Sequence, residues 1–243
     1  MALDLPKVVR TRLDPAERYG LRLTLIGLAV VIVAIPFATL TFEVLGEGPL
    51  TRFDGRLADA LNDWVQGQPG AVPTIEAVSF LGKPVFLFVV VVIAVVVLWR
   101  PGRHRATVFL ITTSLGGGVV DTLVKAAVDR PRPVVDHPVA EAFGKSFPSG
   151  HAMSSTVTYG ALLVALWPYL APRFRRSALL VMVLVVIAVG TSRLLLGLHF
   201  VTDVVGGYLL GLAWLAGAVA AFSAWRHDQA VDDVVSGIAH PDG

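Results

Sequence analysis

The apolar positions of this chain fall in long blocks rather than in the narrow stripes of a soluble helix. The blocks run from Leu21 to about Leu45, about Pro84 to Trp99 (starting a turn or two earlier, near Val78), about Ala106 to Val128, about Ala152 to Leu170, about Ser177 to Leu196, and about Val201 to Phe222. A stretch of about twenty apolar residues crosses a bilayer core of roughly 30 Å. The pattern therefore predicts an all-α integral membrane bundle of six transmembrane helices. Pro36 falls inside the first block, where neighbouring helices can absorb a kink. Residues 50–65 differ: Leu50, Phe53, Leu57, Leu61 and Trp64 recur at steps of three and four among polar residues. That is an amphipathic helix too polar to span, read as lying on the outer membrane interface or as a rim over a site.

Composition sharpens the class. The chain of 243 residues is 55% hydrophobic and 16% charged, with a mean hydropathy of +0.71. Soluble domains are about 45–50% apolar and about 25% charged, so a soluble enzyme, a disordered chain and a nucleic-acid-binding domain are excluded. The formal net charge is +2. No cysteine is present, which removes disulfides, thiolate nucleophiles and Cys-ligated metals. The organisation expected is a cytoplasmic N-terminal tail over 1–20, a membrane domain over 21–225, and a short, loose, polar cytoplasmic tail over 226–243. Leu21 begins an apolar run too long for a signal-peptide core.

Lysine and arginine placement orients the bundle. One alternating set of connections, including the N-terminal tail, holds 12 of the 20 basic residues; the other holds 8. Both termini are expected in the cytoplasm, with the connections after the first, third and fifth spans facing outward. Within the last span, Gly207 and Gly211 form a GxxxG, and Ala213 and Gly217 repeat the small-residue spacing. Both pairs read as close helix packing.

An ionisable residue at the end of a span is a functional candidate by default. Here such residues gather in three stretches: KAAVDRPRP from Lys125 to Pro133, FPSGH from Phe147 to His151, and SRLLLGLHFVTD from Ser192 to Asp203. In an alternating bundle all three arrive at one membrane face. Lys125, Arg132 and Arg193 supply cations suited to phosphate oxygens. Ser149 and Gly150 precede a helix start, where backbone N–H groups and the helix dipole favour an anion. His199 and Asp203 are four apart, so the carboxylate can hold one ring nitrogen and leave the other as a nucleophile. His151 comes from another span and is placed to protonate a leaving oxygen. Asp121, one turn before Lys125, reads as its ion-pair partner or as a residue tuning the site. Arg130 and Asp129 read as interfacial. His137, Asp136, Glu141 and Lys145 lie in the outer connection, where they could shape headgroup access.

The three stretches read as K-x6-RP, PSGH and SR-x5-H-x3-D, complete and in that order. Over roughly residues 75–222 the chain resembles the type-2 phosphatidic acid phosphatase superfamily, the membrane lipid phosphate phosphatases that share a site with vanadium haloperoxidases. The first 70 residues add little to the likeness. The resemblance implies that Lys125, Arg132, Ser149, Gly150 and Arg193 bind phosphoryl oxygens. His199, oriented by Asp203, would form a phosphohistidine, His151 would protonate the leaving group, and no metal or other cofactor would be needed.

The expected activity is hydrolysis of a lipid phosphate or diphosphate at the outer face of a plasma membrane. An isoprenyl (undecaprenyl-type) diphosphate ranks first, because an outward site suits carrier recycling. The alternatives are phosphatidylglycerophosphate or phosphatidate, and phosphotransfer to a hydroxyl through the same site. A non-enzymatic reading is an anion-binding lipid transporter. The expected partners are the lipid substrate and membrane lipids, with no nucleic acid; the oligomeric state has no signal in the sequence.

Overall fold

The computed structural model describes residues 21–99, 103–135, 140 and 143–239. Among these residues the chain is helical and contains no strand. Eight α-helices follow one another: α1 Leu21–Leu45, α2 Pro49–Gln66, α3 Val72–Phe80, α4 Pro84–Leu98, α5 His104–Val128, α6 Gly150–Leu166, α7 Pro172–Leu195 and α8 Val201–Ala239. Short 3-10 turns occupy Pro69–Ala71 and Trp167–Tyr169.

Among the described residues, four stretches are long and apolar enough to cross a membrane: Gly27–Leu45, His104–Val128, Pro172–Leu195 and Val201–Ser223. A fifth results if α3 and α4 count as one span bent by 43°. The sixth expected span corresponds to α6, which has 17 residues and so extends only about 25 Å at 1.5 Å per residue. Its short length has a counterpart in its position. Nine of its residues are buried, and it packs against α5, α7 and α8, which makes it the central helix. Enclosed by protein rather than lipid, it carries Ser155 and Thr156, whose hydroxyls donate back to the Ala152 carbonyl at 3.1 and 2.7 Å.

Two glycines of α8 allow α6 to sit there. A Cβ on Gly207 would come within 2.6 Å of the Ser149 carbonyl oxygen, and one on Gly211 within 2.9 Å of Thr156 Cβ. The GxxxG is thus a packing seam. Gly217 is not part of it: a Cβ there meets nothing within 4 Å, because this stretch of α8 borders a cavity of about 400 Å³ with Thr112, Thr113 and Gly116.

Helix α2 turns the opposite way from a soluble amphipathic helix. Asp54, Ala58, Asn62 and Val65 are buried, whereas Leu50, Phe53 and Trp64 are 43%, 48% and 50% exposed. Leu50, Phe53 and Trp64 thus face away from the bundle, Leu57 and Leu61 are half-buried, and Asp54, Ala58, Asn62 and Val65 face inward. Val65 joins Ile75, Leu196 and Leu198 in one cluster, and α1 contributes Leu40 and Val44 around Phe147. Helices α1 and α2 therefore brace the end of the bundle where the motifs lie. A separate cluster of Leu98, Phe109, Leu110, Ala161 and Ala165 fills the other end.

Two expectations concern the chain ends. The tail over 1–20 lies outside the described residues. Beyond Arg226 the structure has no loose tail as far as Ala239, because α8 continues; Val231, Val234, Val235 and Ile238 keep the helical spacing.

The seam predicts a stability contrast. Gly207→Ala should cost about 1–3 kcal/mol through overpacking against backbone, read as a lowered thermal midpoint in detergent. Gly217→Ala, with open space around it, should leave the midpoint unchanged.

Candidate active site

The site forms where α5 ends, α6 and α8 begin, and α7 turns back. Each motif is held by local chemistry. Helix α5 terminates at Asp129, whose left-handed backbone (φ 54°) lets its N–H donate to the Lys125 carbonyl. Helix α6 starts from Ser149, which caps it by accepting from the Ala152 N–H at 3.5 Å. After α7, Gly197 takes φ 69°, and the turn it permits delivers His199 just before α8.

His199 is buried. It does not share a helical face with Asp203, as the four-residue spacing had implied. It precedes α8, and Asp203 in the first turn reaches back over the helix start. Asp203 Oδ2 accepts the Phe200 N–H at 2.8 Å and lies 3.4 Å from His199 Nδ1. The physical reason is capping: a carboxylate in the first turn satisfies an orphan N–H and the adjoining ring at once. On the other side of the ring, Arg132 lies 3.1 Å from Nε2. A guanidinium offers only donors, so Nε2 presents its lone pair and Nδ1 carries the proton that faces Asp203. Burial pushes the His199 imidazole down to about 4, and Asp203 only partly offsets it. The ring is therefore neutral at physiological pH.

Arg132 also ties together the loops around the ring. It donates to the carbonyls of Leu198 at 2.7 Å, Gly144 at 3.1 Å and Phe143 at 3.2 Å. Lys125 pairs with Asp121 at 2.6 Å and donates to the Pro148 carbonyl at 2.7 Å, so it reaches the PSGH loop already neutralised. Gly150 is the reason the loop can approach: a Cβ there would come within 3.1 Å of Asp121 and 3.2 Å of Lys125. Ser149 is fully buried, and its N–H donates to the Asp203 carbonyl at 2.9 Å. Of the two residues expected at the α6 start, Ser149 is thus committed to holding the site together, and Gly150 is half-buried beside Asp121 and Lys125.

His151 and Arg193 complete the hollow from the far side. Both line a cavity of about 830 Å³ together with Ser79, Glu76, Lys83 and Leu198. Arg193 donates to Ser79 Oγ at 2.8 Å. Two buried nitrogens on this wall, His151 Nε2 and Arg193 Nε, have no protein partner. His151 lies within electrostatic reach of Arg193, His199, Lys83 and Arg132. The break between α3 and α4 backs this ring: a Cβ on Gly82 would meet His151 Cδ2 at 3.0 Å. The motif residues are therefore brought together, with both imidazoles at the same end of the bundle.

Three contributors were not legible as site residues. Arg130, read as interfacial, is buried and ion-paired to Asp203 at 2.6 Å and to Asp54 at 2.8 Å. Asp54 comes from α2; its only signal was a small and polar stripe, Asp54, Ala58 and Asn62, opposite the apolar one. Ser146 donates to Asp203 Oδ2 at 2.5 Å and had no signal beyond standing next to FPSGH. Lys145 pairs with Asp129 at the surface. Asp136, His137 and Glu141 lie outside the described residues. Among the described residues, no group of three or more His, Asp or Glu side chains is arranged to hold a metal ion.

Comparison with known proteins gives a consistent result. A protein-family model described as the PAP2 superfamily matches residues 105–227. Phosphatidylglycerophosphatase B of Bacillus subtilis (strain 168) is 28% identical over 148 residues, which is 60% of this chain and 72% of that protein. A crystal structure of a transmembrane PAP2-type phosphatidylglycerolphosphate phosphatase from Bacillus subtilis superposes with a TM-score of 0.72. It is 23% identical, and the superposition covers 84% of this chain and 97% of that one. Because the matched stretch runs through all three motifs and the candidate spans around them, this multi-pass membrane chain belongs to the PAP2 superfamily.

Proposed function

We propose that the chain hydrolyses a lipid phosphate through a phosphohistidine on His199. The observation that carries this reading is the pairing of opposite needs across one hollow. A neutral His199 offers its Nε2 lone pair beside Arg132, and the buried His151 Nε2 and Arg193 Nε have no protein partner. A phosphoryl group satisfies all of them. His199 Nε2 attacks phosphorus, and the bond to the lipid oxygen breaks as His151 protonates that oxygen. Water, losing its proton to His151, then attacks the phosphohistidine and releases inorganic phosphate and free His199. Arg132, Arg193, Lys125 and the Gly150 amide surround the oxygens on which charge develops. Ser149 supports the site through its capping bonds.

Phosphatidylglycerophosphate is the favoured substrate. Both similar proteins carry that activity in their names, whereas the isoprenyl diphosphate ranked first from the sequence rests on outward placement alone. The bundle is read as six spans in the plasma membrane, with α6 counted among them, both termini cytoplasmic and the site outward.

The direct test is phosphate release by purified protein from a panel containing phosphatidylglycerophosphate, phosphatidate and an isoprenyl diphosphate. Phosphatidylglycerophosphate should be turned over fastest; a preference for the diphosphate would reverse the ranking. His199→Ala should lose at least about a thousandfold in kcat. His151→Ala should lose about 10²–10⁴-fold on lipid substrates and much less on an aryl phosphate, whose leaving group needs no proton. Vanadate should inhibit and EDTA should not; activity lost to EDTA and restored by Mg²⁺ would overturn the metal-free mechanism. Ala140→Cys should react with an impermeant thiol reagent in intact cells, and labelling only after the cells are opened would invert the topology.

A further inference from the structure

Helix α2 lies outside the stretch matched by the family model, yet one of its side chains reaches the centre of the site. Asp54 is 1% exposed. Its Oδ2 accepts from Arg130 at 2.8 Å and from the Thr202 hydroxyl, and its Oδ1 accepts the Thr202 N–H at 3.1 Å. Arg130 uses its other terminal nitrogen for Thr202 Oγ1 at 2.7 Å and Asp203 Oδ1 at 2.6 Å. Its guanidinium lies 4.3 Å from the Phe200 ring centroid, so its plane is held from a third direction. Asp203 consequently divides its oxygens. Oδ1 belongs to Arg130, while Oδ2 receives Ser146 and Phe200 N–H and faces His199 Nδ1.

An arginine opposite one carboxylate prefers a two-pronged arrangement that occupies both oxygens. Here the second prong is held by Asp54. We propose that Asp54 is a positioning residue for the reaction at His199: it limits Arg130 to one oxygen of Asp203 and leaves the other to orient the imidazole. Without it, Arg130 is free to take both oxygens and draw Oδ2 away from Nδ1–H, so the His199 lone pair loses its alignment. Asp54 does not approach the cavity that binds substrate, so its effect falls on turnover rather than on binding. The inference rests on the reading of His199 as nucleophile.

The test uses full-length protein in detergent, with kcat and KM measured per monodisperse folded molecule and inorganic phosphate as a competitive probe of the binding site. Asp54→Asn keeps the shape and removes the charge. It should lower kcat about ten- to a hundredfold while KM and the Ki for phosphate stay within about threefold. Combined with Arg130→Gln, it should be no slower than Arg130→Gln alone within about threefold, because the two act through one contact. If Asp54→Asn does not fold, Thr202→Val removes the hydroxyl between Asp54 and Arg130; it should lower kcat about three- to tenfold with KM unchanged. Wild-type kcat in folded Asp54→Asn, or in Thr202→Val when that variant stands in, overturns the proposal. So does a loss confined to KM, and a purely structural brace predicts lower yield with normal kcat in what folds. The His199→Ala control separates the two levels. A dead His199→Ala beside a fully active Asp54→Asn sinks this inference alone, while an active His199→Ala removes the nucleophile and the inference with it.

Discussion

Charge held away from water at one end of the bundle is the constraint on which the rest of the structure depends. Removing an ion from water costs several kcal/mol even after relaxation, and truncating one partner of a buried pair typically costs about 3–5 kcal/mol. Four of the described cations around the site fall into two kinds. Arg130 and Lys125 are neutralised, the first by Asp54 and Asp203, the second by Asp121. Arg132 and Arg193 are met by backbone carbonyls, an imidazole and a serine hydroxyl, with no carboxylate among their described hydrogen-bond partners. The Arg130 pairs tie α2 to the start of α8, whereas the Lys125–Asp121 pair lies within α5. The two unneutralised guanidiniums flank the imidazoles and create a positive field in a region of low dielectric, where an anion is the natural complement.

Packing places that field. A motif at a helix end is useful only if the ends of several helices meet at one depth. The central helix α6, with 17 residues, is shorter than α5, α7 and α8 around it, and its start is recessed against α8 because Gly207 and Gly211 remove side chains from the seam. At the same level, Gly206 leaves room for the Phe147 ring, which stacks on Phe37 of α1 with centroids 5.8 Å apart. The PSGH loop is thereby pressed between α1 and α8, and its carbonyls and amides face Lys125 and Asp203 instead of lipid. Polar backbone near the membrane boundary is tolerated here because protein encloses it.

The apolar blocks and the three motifs were legible because each is a local signal: a run of hydrophobic residues, or a handful of charged residues at fixed spacing. What escaped was set by tertiary contact. Asp54 and Arg130 are 76 residues apart, and nothing in either segment alone announces a buried pair. The inward face of α2 carried no assignment from the pattern alone; Phe53 and Trp64 mark its outer side. The His199–Asp203 spacing matched a helical step but arose from a first-turn carboxylate reaching back, and the two geometries share the same interval of four. Among the described residues, α6 differs from the long apolar helices in length: it has 17 residues and is covered by protein.

The arrangement also explains why the motifs leave the lipid open. On the proposed mechanism they hold phosphorus between two imidazoles and two guanidiniums, and any lipid phosphate presents that group alike. The cavity of about 830 Å³ is within the range of sites that enclose whole small molecules, more room than a phosphoryl group needs. Its wall mixes apolar Pro73, Phe80, Leu196 and Leu198 with Glu76 and Lys83. Glu76 and Lys83 are the charged residues on that wall outside the motifs, and they stand on opposite sides of the α3–α4 break. A second phosphate on the leaving group would be drawn to Lys83 and repelled by Glu76, whereas an uncharged glycerol would be indifferent to the balance between them. On that mechanism, discrimination among lipid phosphates acts on the leaving group, at the helix break, and not on the phosphorus.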